Sequence, residues 1–416
     1  MSNLCESKTQ KLLPLEDAVD LIRRQLHPTS GSERLPLSIA LGRTLKEPIF
    51  ARYNYPFDNV SSMDGYALNT QNIDTSQPFQ LKNCGTSWAG KPYPQKLSSG
   101  QCIRIFTGAV LPQDTDSVII QELVSVQNDT ITFPENLVLQ DNIRFSGEDY
   151  KKGDLLLPTH KKLTAVDLGF IASAGIYDVL VFRKITIAFL STGDELTAIG
   201  QPLSSGNIFD SNRHTLMGLL NDPCYHCTDL GQYADHYETL KQTLADAAHH
   251  YDVLITTGGA SVGEADYIKD IMDEIGHIDF WKIAMKPGKP LAFGHINASL
   301  FFGLPGNPVS VIATFQQLVE PALKQLSGSA PTTRLQLKAQ CLTALKKIPG
   351  RKDFQRGILK KNSQGELTVI SAGQQGSHIL SSMSGANCYI VLDQQCSSIA
   401  AGQWVTVEPF SCFISE

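Results

Sequence analysis

The sequence predicts a multidomain α/β plus β fold, and three observations carry that prediction. Between residues 181 and 328, strand-like apolar runs alternate with helix-like ones, the pattern of a mostly parallel sheet with helices on both faces. From 31 to 143, and again from 329 to 416, short apolar runs are broken by Gly, Pro, Asn and Asp clusters, which signals mostly-β units. Two helical stretches flank the first of these β segments. The expected division is a discontinuous helical linker domain (1–30 and 144–180), an inserted mostly-β domain (31–143), a central α/β/α domain (181–328) and a C-terminal β-barrel domain (329–416).

Each element has a local reason. PLEDAVDLIRRQL (14–26) repeats Val19, Ile22 and Leu26 at helical spacing, with Pro14 suited to a first turn and acids after it. LTAVDLGFIASAG (163–175) offers Thr164 as N-cap and Gly175 as terminator. The two helices are expected to pack together, with the β domain inserted between them. In the central segment, ITIAFLST, DVLITT, WKIAM, PLAFG and LFFGL read as strands. SNRHTLMGLLN, HYETLKQTLADAAHHY, EADYIKDIMDEIG and PVSVIATFQQLVEPALKQL read as helices. LQLKAQCL, FQRGILKK, ELTVIS, CYIVL and QWVTVEPF supply the last β unit, a small barrel or sandwich.

Composition removes several classes of function. A net charge of −6 gives no basic excess for a nucleic-acid backbone. No apolar run reaches the roughly 18 residues of a membrane span. The first residues carry no apolar signal core, so a cytoplasmic location is expected. Nine cysteines is an odd number and most stand alone; the one CxxC, Cys224 and Cys227, has no second pair to complete a zinc site.

The chemistry is expected where strands of a parallel sheet end, because ligands bind beyond their C-terminal ends. Each predicted end carries glycine with a polar group: Gly193-Asp194-Glu195, GGASVGEAD (258–266), Lys286-Pro-Gly-Lys289 and Pro305-Gly-Asn-Pro308. GGASVG has the glycine spacing of a P-loop, but Glu264-Ala265 replaces the phosphate-binding lysine and metal-binding hydroxyl, so an ATP-type loop is rejected. It does not fit the dinucleotide fingerprint either. Lys282, Lys286 and Lys289 offer fixed charge for an anionic ligand. Asp194, Glu195, Asp235, Glu264 and Asp266 collect nearby, and acids beside an anion imply a bridging Mg²⁺. Asp194 reads as structural.

The segments SSMDGYAL, RIFTGAVLP, FSGEDYKKGD, STGDEL, TTGGASVGEADY, MKPGKPLAFG and GLPGNPVS resemble, in this order, the MoeA family of molybdopterin molybdenumtransferases, to which the gephyrin E domain also belongs, and the resemblance extends from about residue 14 to 410. The glycine-loop pattern alone marks a broader molybdopterin-binding domain; the MDGYA, GED and PGNP signatures narrow it. The resemblance implies a homodimer with a shared cleft, and a reaction of adenylated molybdopterin, molybdate and Mg²⁺ that gives molybdenum cofactor and AMP. It implies substrate-cleft roles for Gly258, Gly259, Ser261, Gly263, Asp266, Lys282, Lys286, Pro305 and Pro308, and functional or metal-binding acids at Glu195, Asp235 and Asp266. Asp64, Thr107, Arg144 and Asp149 are implied to complete the cleft from the second subunit. Arg356 and Ser377 would hold an oxyanion, with Lys289 and Ser310 as neighbours. FDNVSSMDGY is one residue longer than the family pattern, so Asp58 and Asp64 both remain candidates there, with Asp64 preferred because Asp-Gly sets a tight turn before a strand. Contacts with the pathway's adenylyltransferase and with molybdoenzyme-maturation proteins are implied; contacts with nucleic acid or membrane are not. Alternatives are a non-catalytic gephyrin-like scaffold or pterin-binding protein, disfavoured because the chain lacks a fused adenylyltransferase domain, and a tungstate-inserting homologue.

Overall fold

The structure, a computed structural model, describes residues 12–137, 141–259 and 267–412. Its centre is a six-stranded sheet in the order Tyr225–Tyr233, Ile185–Thr192, Val253–Thr257, Ser299–Leu304, Pro290–Ile296, His277–Lys282. The first four strands are mutually parallel. Pro290–Ile296 runs antiparallel to both of its neighbours, so His277–Lys282 again points the same way as the first four.

The pleat sorts this sheet's side chains onto two cores, because successive residues of a strand face opposite sides. Ile187, Phe189, Val253, Ile255, Phe302 and Leu304 face one core together with Leu216, Val311 and Leu323. Ala188, Leu190, Leu254 and Phe301 face the other, with Leu240, Leu244, Ile268 and Met272. Helices therefore cover both faces, as the alternating sequence pattern requires.

The helix Leu15–Gln25 forms where expected, with Pro14 at the N-cap position rather than inside the first turn. Its partner differs from expectation. Leu15, Ala18, Ile22 and Leu26 are buried in the first of the two central cores. The helix Ala165–Ser173 lies in a separate core with Leu45, Leu157 and Val181. The two helices thus belong to different cores, because the apolar stripe of the first matches the central unit. Thr164 caps the second helix in a full capping box with Asp167.

The start of the inserted β unit is also corrected. Ser32–Pro36 pairs antiparallel with Asp178–Phe182, and Ile49–Phe50 with Leu155–Leu157. Residues 32–50 therefore sit with the segment expected to be linker, not with the insertion. Beyond them a six-stranded sheet forms in the order Ser117–Ile120, Gly65–Leu68, Gln101–Ile105, Phe79–Ser87, Thr130–Phe133, Ser125–Gln127.

The C-terminal strands close on themselves. Lys352–Lys361, Leu367–Ser371, Leu337–Cys341, Trp404–Pro409 and Cys388–Leu392 pair in sequence, and the last returns to the first. A five-stranded barrel results, which removes the free edges of an open sheet. The run WKIAM does not stay in one sheet: its end, Met285–Lys286, leaves the central sheet and pairs in parallel with Lys352–Asp353 of the barrel.

The helix expected over 308–326 is interrupted by a π-helical turn, Phe315–Val319. Pro321 explains the position, since it has no N–H for Gln317 and its ring would crowd that carbonyl. The widened turn frees the Gln316 carbonyl, which accepts from the Arg334 guanidinium at 2.8 Å. Among the described residues, no helix is long and apolar enough to cross a membrane.

Candidate functional site

The strand ends converge at one edge of the central sheet. Gly193 N donates to Tyr233 O, tying the first two loops. The Thr192 hydroxyl donates to Asp235 Oδ1, and Asp235 N donates to Asp194 Oδ1 at 3.0 Å. Asp194 thus shapes the loop while Glu195 beside it is exposed. Gly258 sits at φ +85°, and a Cβ there would lie 2.1 Å from Thr192 O. Glycine is required at this position by both backbone conformation and close approach. Gly259 follows at φ +62°. Ser261, Gly263, Glu264 and Asp266 lie outside the described residues.

On the next strand end, Pro305 is buried and Pro308 opens the helix Pro308–Thr314, with Ser310 buried in its first turn. Asn212 Nδ2 donates to Gly306 O at 2.7 Å, fastening this loop to the helix Ser211–Leu219. The lysine loop packs against the helix Pro308–Thr314. A Cβ at Gly288 (φ +101°) would lie 2.4 Å from Thr314 Cγ2 and 3.7 Å from Ser310 O. Lys282 is half-buried and its carbonyl accepts from Leu13 N; Lys289 is exposed. Lys286 Nζ lies 3.4 Å from Asp353 Oδ2. Ser377 reaches the same region through its backbone, accepting from Val309 N at 3.1 Å.

Arg356 departs from expectation. It is 1 % exposed, and its guanidinium donates to Ser382 Oγ, Gln374 O and Gly376 O. Burial pushes its pKa down. These contacts brace the loop that carries Ser377 and enclose the guanidinium rather than leaving it open.

A second group gathers in the N-terminal half. Thr107 donates to Asp64 Oδ1 through both its backbone N and its hydroxyl, each at 2.8 Å. Those two bonds, the backbone one first, hold the Asp64 carboxyl below its usual range. The pairing brings two of the proposed residues together. Gly108, next in the chain, lines a cavity of ≈ 740 Å³ with Arg144, Asp149, Tyr53, Tyr55 and Phe57. Arg144 is set there by the pairing of Ile143–Arg144 with Val60–Ser61, and Asp149 by its N–H to Tyr55 O at 3.1 Å. Among the described residues, no hydrogen bond or ion pair joins a residue of this group to one at the central sheet edge.

Two features of the site were not read from the sequence. Asp353 pairs with Lys286 across a long sequence separation, and no local pattern announces it. Asn212 anchors the PGNP loop; its place one residue into a predicted helix at a strand-rich edge was the available signal.

The acids at the sheet edge suit a hard cation by donor chemistry, since Asp235 and Glu195 offer only carboxylate oxygens. Among the described residues no group of three His, Cys, Asp or Glu could hold a metal. Mg²⁺ does not need one, as it takes one or two carboxylates and fills its shell with water and substrate phosphates.

Comparison with known proteins gives a consistent result. Residues 13–175 match the MoeA N-terminal region (domain I and II), 188–325 a probable molybdopterin binding domain, and 338–410 the MoeA C-terminal region (domain IV). The chain is 43 % identical to a molybdopterin molybdenumtransferase of Haemophilus influenzae, over 96 % of this chain and 99 % of that protein. It is 30 % identical to gephyrin of Dictyostelium discoideum over 95 % of this chain and 62 % of that one. The structure superposes on the molybdopterin biosynthesis moeA protein of Pyrococcus horikoshii with a TM-score of 0.83 at 27 % identity, covering 96 % and 100 % of the two chains.

Proposed function

The chain belongs to the MoeA family of molybdopterin molybdenumtransferases, and from that premise we propose that it inserts molybdate into adenylated molybdopterin, with Mg²⁺, releasing AMP and giving molybdenum cofactor. The observation that carries this reading is the meeting of the glycine loop, three lysines, the PGNP turn and two acids at one sheet edge. The substrate is a polyanion with a pterin phosphate and a phosphoanhydride. Lys282, Lys286 and Lys289 supply positive charge for it, and they offset the negative charge that develops as AMP leaves. Gly258 and Gly259 let backbone approach the ligand without side-chain interference. Bound Mg²⁺, held by one or two carboxylates among Asp235, Glu195 and Asp266, would neutralise phosphoanhydride oxygens. Ser377, Ser310 and Lys289 then line the position for the oxyanion, whose oxygens exchange for the two dithiolene sulfurs. An oxygen of water or molybdate forms the new P–O bond as the phosphoanhydride to AMP breaks, and the two dithiolene sulfurs displace molybdate oxygens as water, so no side-chain nucleophile is required.

Asp64, Thr107, Arg144 and Asp149 complete the cleft from a second copy in this reading. Its support is that Arg144 and Asp149 line a cavity together with Gly108, the neighbour of Thr107, and that among the described residues no hydrogen bond or ion pair joins these four to the sheet edge.

The test is to incubate the purified protein with adenylated molybdopterin, Mg²⁺ and molybdate and to follow AMP. Molybdate-stimulated release is expected. Absence of that stimulation with a validated substrate refutes the reading.

A further inference from the structure

The geometry points to Asp353 as a positioning residue that holds the Lys286 ammonium at the rim of the cleft and couples the C-terminal barrel to the chemistry. The inference rests on the substrate-binding role proposed above for Lys286.

Asp353 is an acid in an unusual place. It is 2 % exposed on the first barrel strand, where an ionised carboxylate is costly unless it is paired and hydrogen-bonded. Its Oδ2 has two partners. Lys286 Nζ lies 3.4 Å away, and Gln355 Nε2 donates at 3.1 Å. Gln355 is itself buried and tied to Lys346 O at 2.9 Å, so the carboxylate is held from behind. The Lys286 side chain remains 43 % exposed, leaving its remaining donors open to the cleft.

The backbone enforces the same arrangement. Met285 and Lys286 pair in parallel with Lys352 and Asp353, and Lys352 N donates to Ala284 O at 2.8 Å. The lysine's Cα is therefore fixed by the barrel strand as well as its head group. A flexible lysine stem loses rotamer freedom when substrate binds, and an anchored carboxylate reduces that loss. The same strand, through Arg356, braces the Ser377 loop. One barrel strand thus sets two sides of the site.

Three measurements test this. Asp353→Asn keeps shape and an acceptor for Gln355 but removes the charge. It is expected to lower kcat for AMP release about tenfold while KM changes less than about twofold, because the lysine is kept but misaimed. In a Lys286→Met background the same substitution is expected to change kcat less than about twofold, since contacting residues are non-additive. An equal fall in both backgrounds means a general structural role and overturns the inference. A third readout needs no activity: ¹³C reductive methylation of the lysines, with the Lys286 signal assigned by Lys286→Arg. A signal distinct from free dimethyl-lysine in the wild type, collapsing to the free position in Asp353→Asn, supports the inference. An unchanged signal overturns it, even if the proposed reaction itself proves wrong.

Discussion

At Gly258 the backbone leaves no room for a side chain. Its φ is +85°, and any Cβ would fall 2.1 Å from Thr192 O, a rigid backbone atom. Gly258→Ala combines left-handed strain of about 1 kcal/mol with a clash that the strand must move to relieve. Activity is expected to fall at least about tenfold, because the Thr192–Asp235 contact moves with that strand; AMP release at saturating substrate checks it. Asp252 is a residue of the opposite kind, far from chemistry and decisive for stability. Burial alone would raise its pKa. Hydrogen bonds from Arg183, at 2.7 Å through both amino groups, and from Thr186 outweigh that and hold it below its usual value. A depressed carboxylate contributes stability above its unfolded pKa and loses it as pH falls through the folded value. Asp252→Asn is therefore expected to destabilise by about 1–2 kcal/mol at neutral pH, discounted from the roughly 1.5–3 of a fully buried charged bond. The discount follows from the 35 % exposure of the Arg183 side chain. The gap between variant and wild type should begin to narrow as pH falls below about 4, the ordinary carboxylate value, and close only below the depressed folded value. Urea titrations at several pH values measure it.

At the scale of elements, what the sequence reveals depends on how local the cause is. Thr164 and Gly175 bound a helix by capping chemistry contained within a dozen residues, and both ends were legible. So were the glycine loops, because the conformation they need is a property of a few bonds. Helix Leu15–Gln25 shows the limit. Its 3.6-residue stripe is visible in the sequence, but a stripe specifies only that something apolar covers it. Two cores could have done so, and the structure selects the central one. The enclosure of Arg356 and the pairing of Asp353 with Lys286 were not legible for the same reason: burial and a partner distant in sequence leave no local mark. The helix assignment is open to direct test. Ile22 is 2 % exposed among side chains of the central core. Ile22→Ala should cost about 2–5 kcal/mol, and hydrogen exchange should show the loss in Val253–Thr257 and Ser299–Leu304. Loss confined to Ala165–Ser173 would restore the discarded pairing of the two helices.

At the scale of the whole molecule, the proposal requires two groups of residues that lie apart on one chain to form a single cleft. The sheet-edge group offers cations, glycines and two acids; the N-terminal group offers Asp64, Thr107, Arg144 and Asp149 beside an aromatic-lined cavity. In the proposed closed twofold dimer, the N-terminal group of each copy would come to the sheet edge of the other, giving two identical clefts. Mixing variants distinguishes this arrangement from a cleft within one chain. Asp64→Ala and Lys286→Ala, each purified alone, are expected to be nearly inactive. After dissociation and reassociation of an equal mixture, about half the dimers carry one of each, and each mixed dimer has one cleft free of both substitutions. Activity should return to about a quarter of the wild-type level on that count. If each cleft instead lay within one chain, every copy would remain defective and mixing would restore nothing. The same mixture with Asp235→Ala in place of Asp64→Ala supplies the internal control. Asp235 and Lys286 belong to the same sheet edge, so every cleft in that mixture receives one substitution and activity should stay at the level of the single variants.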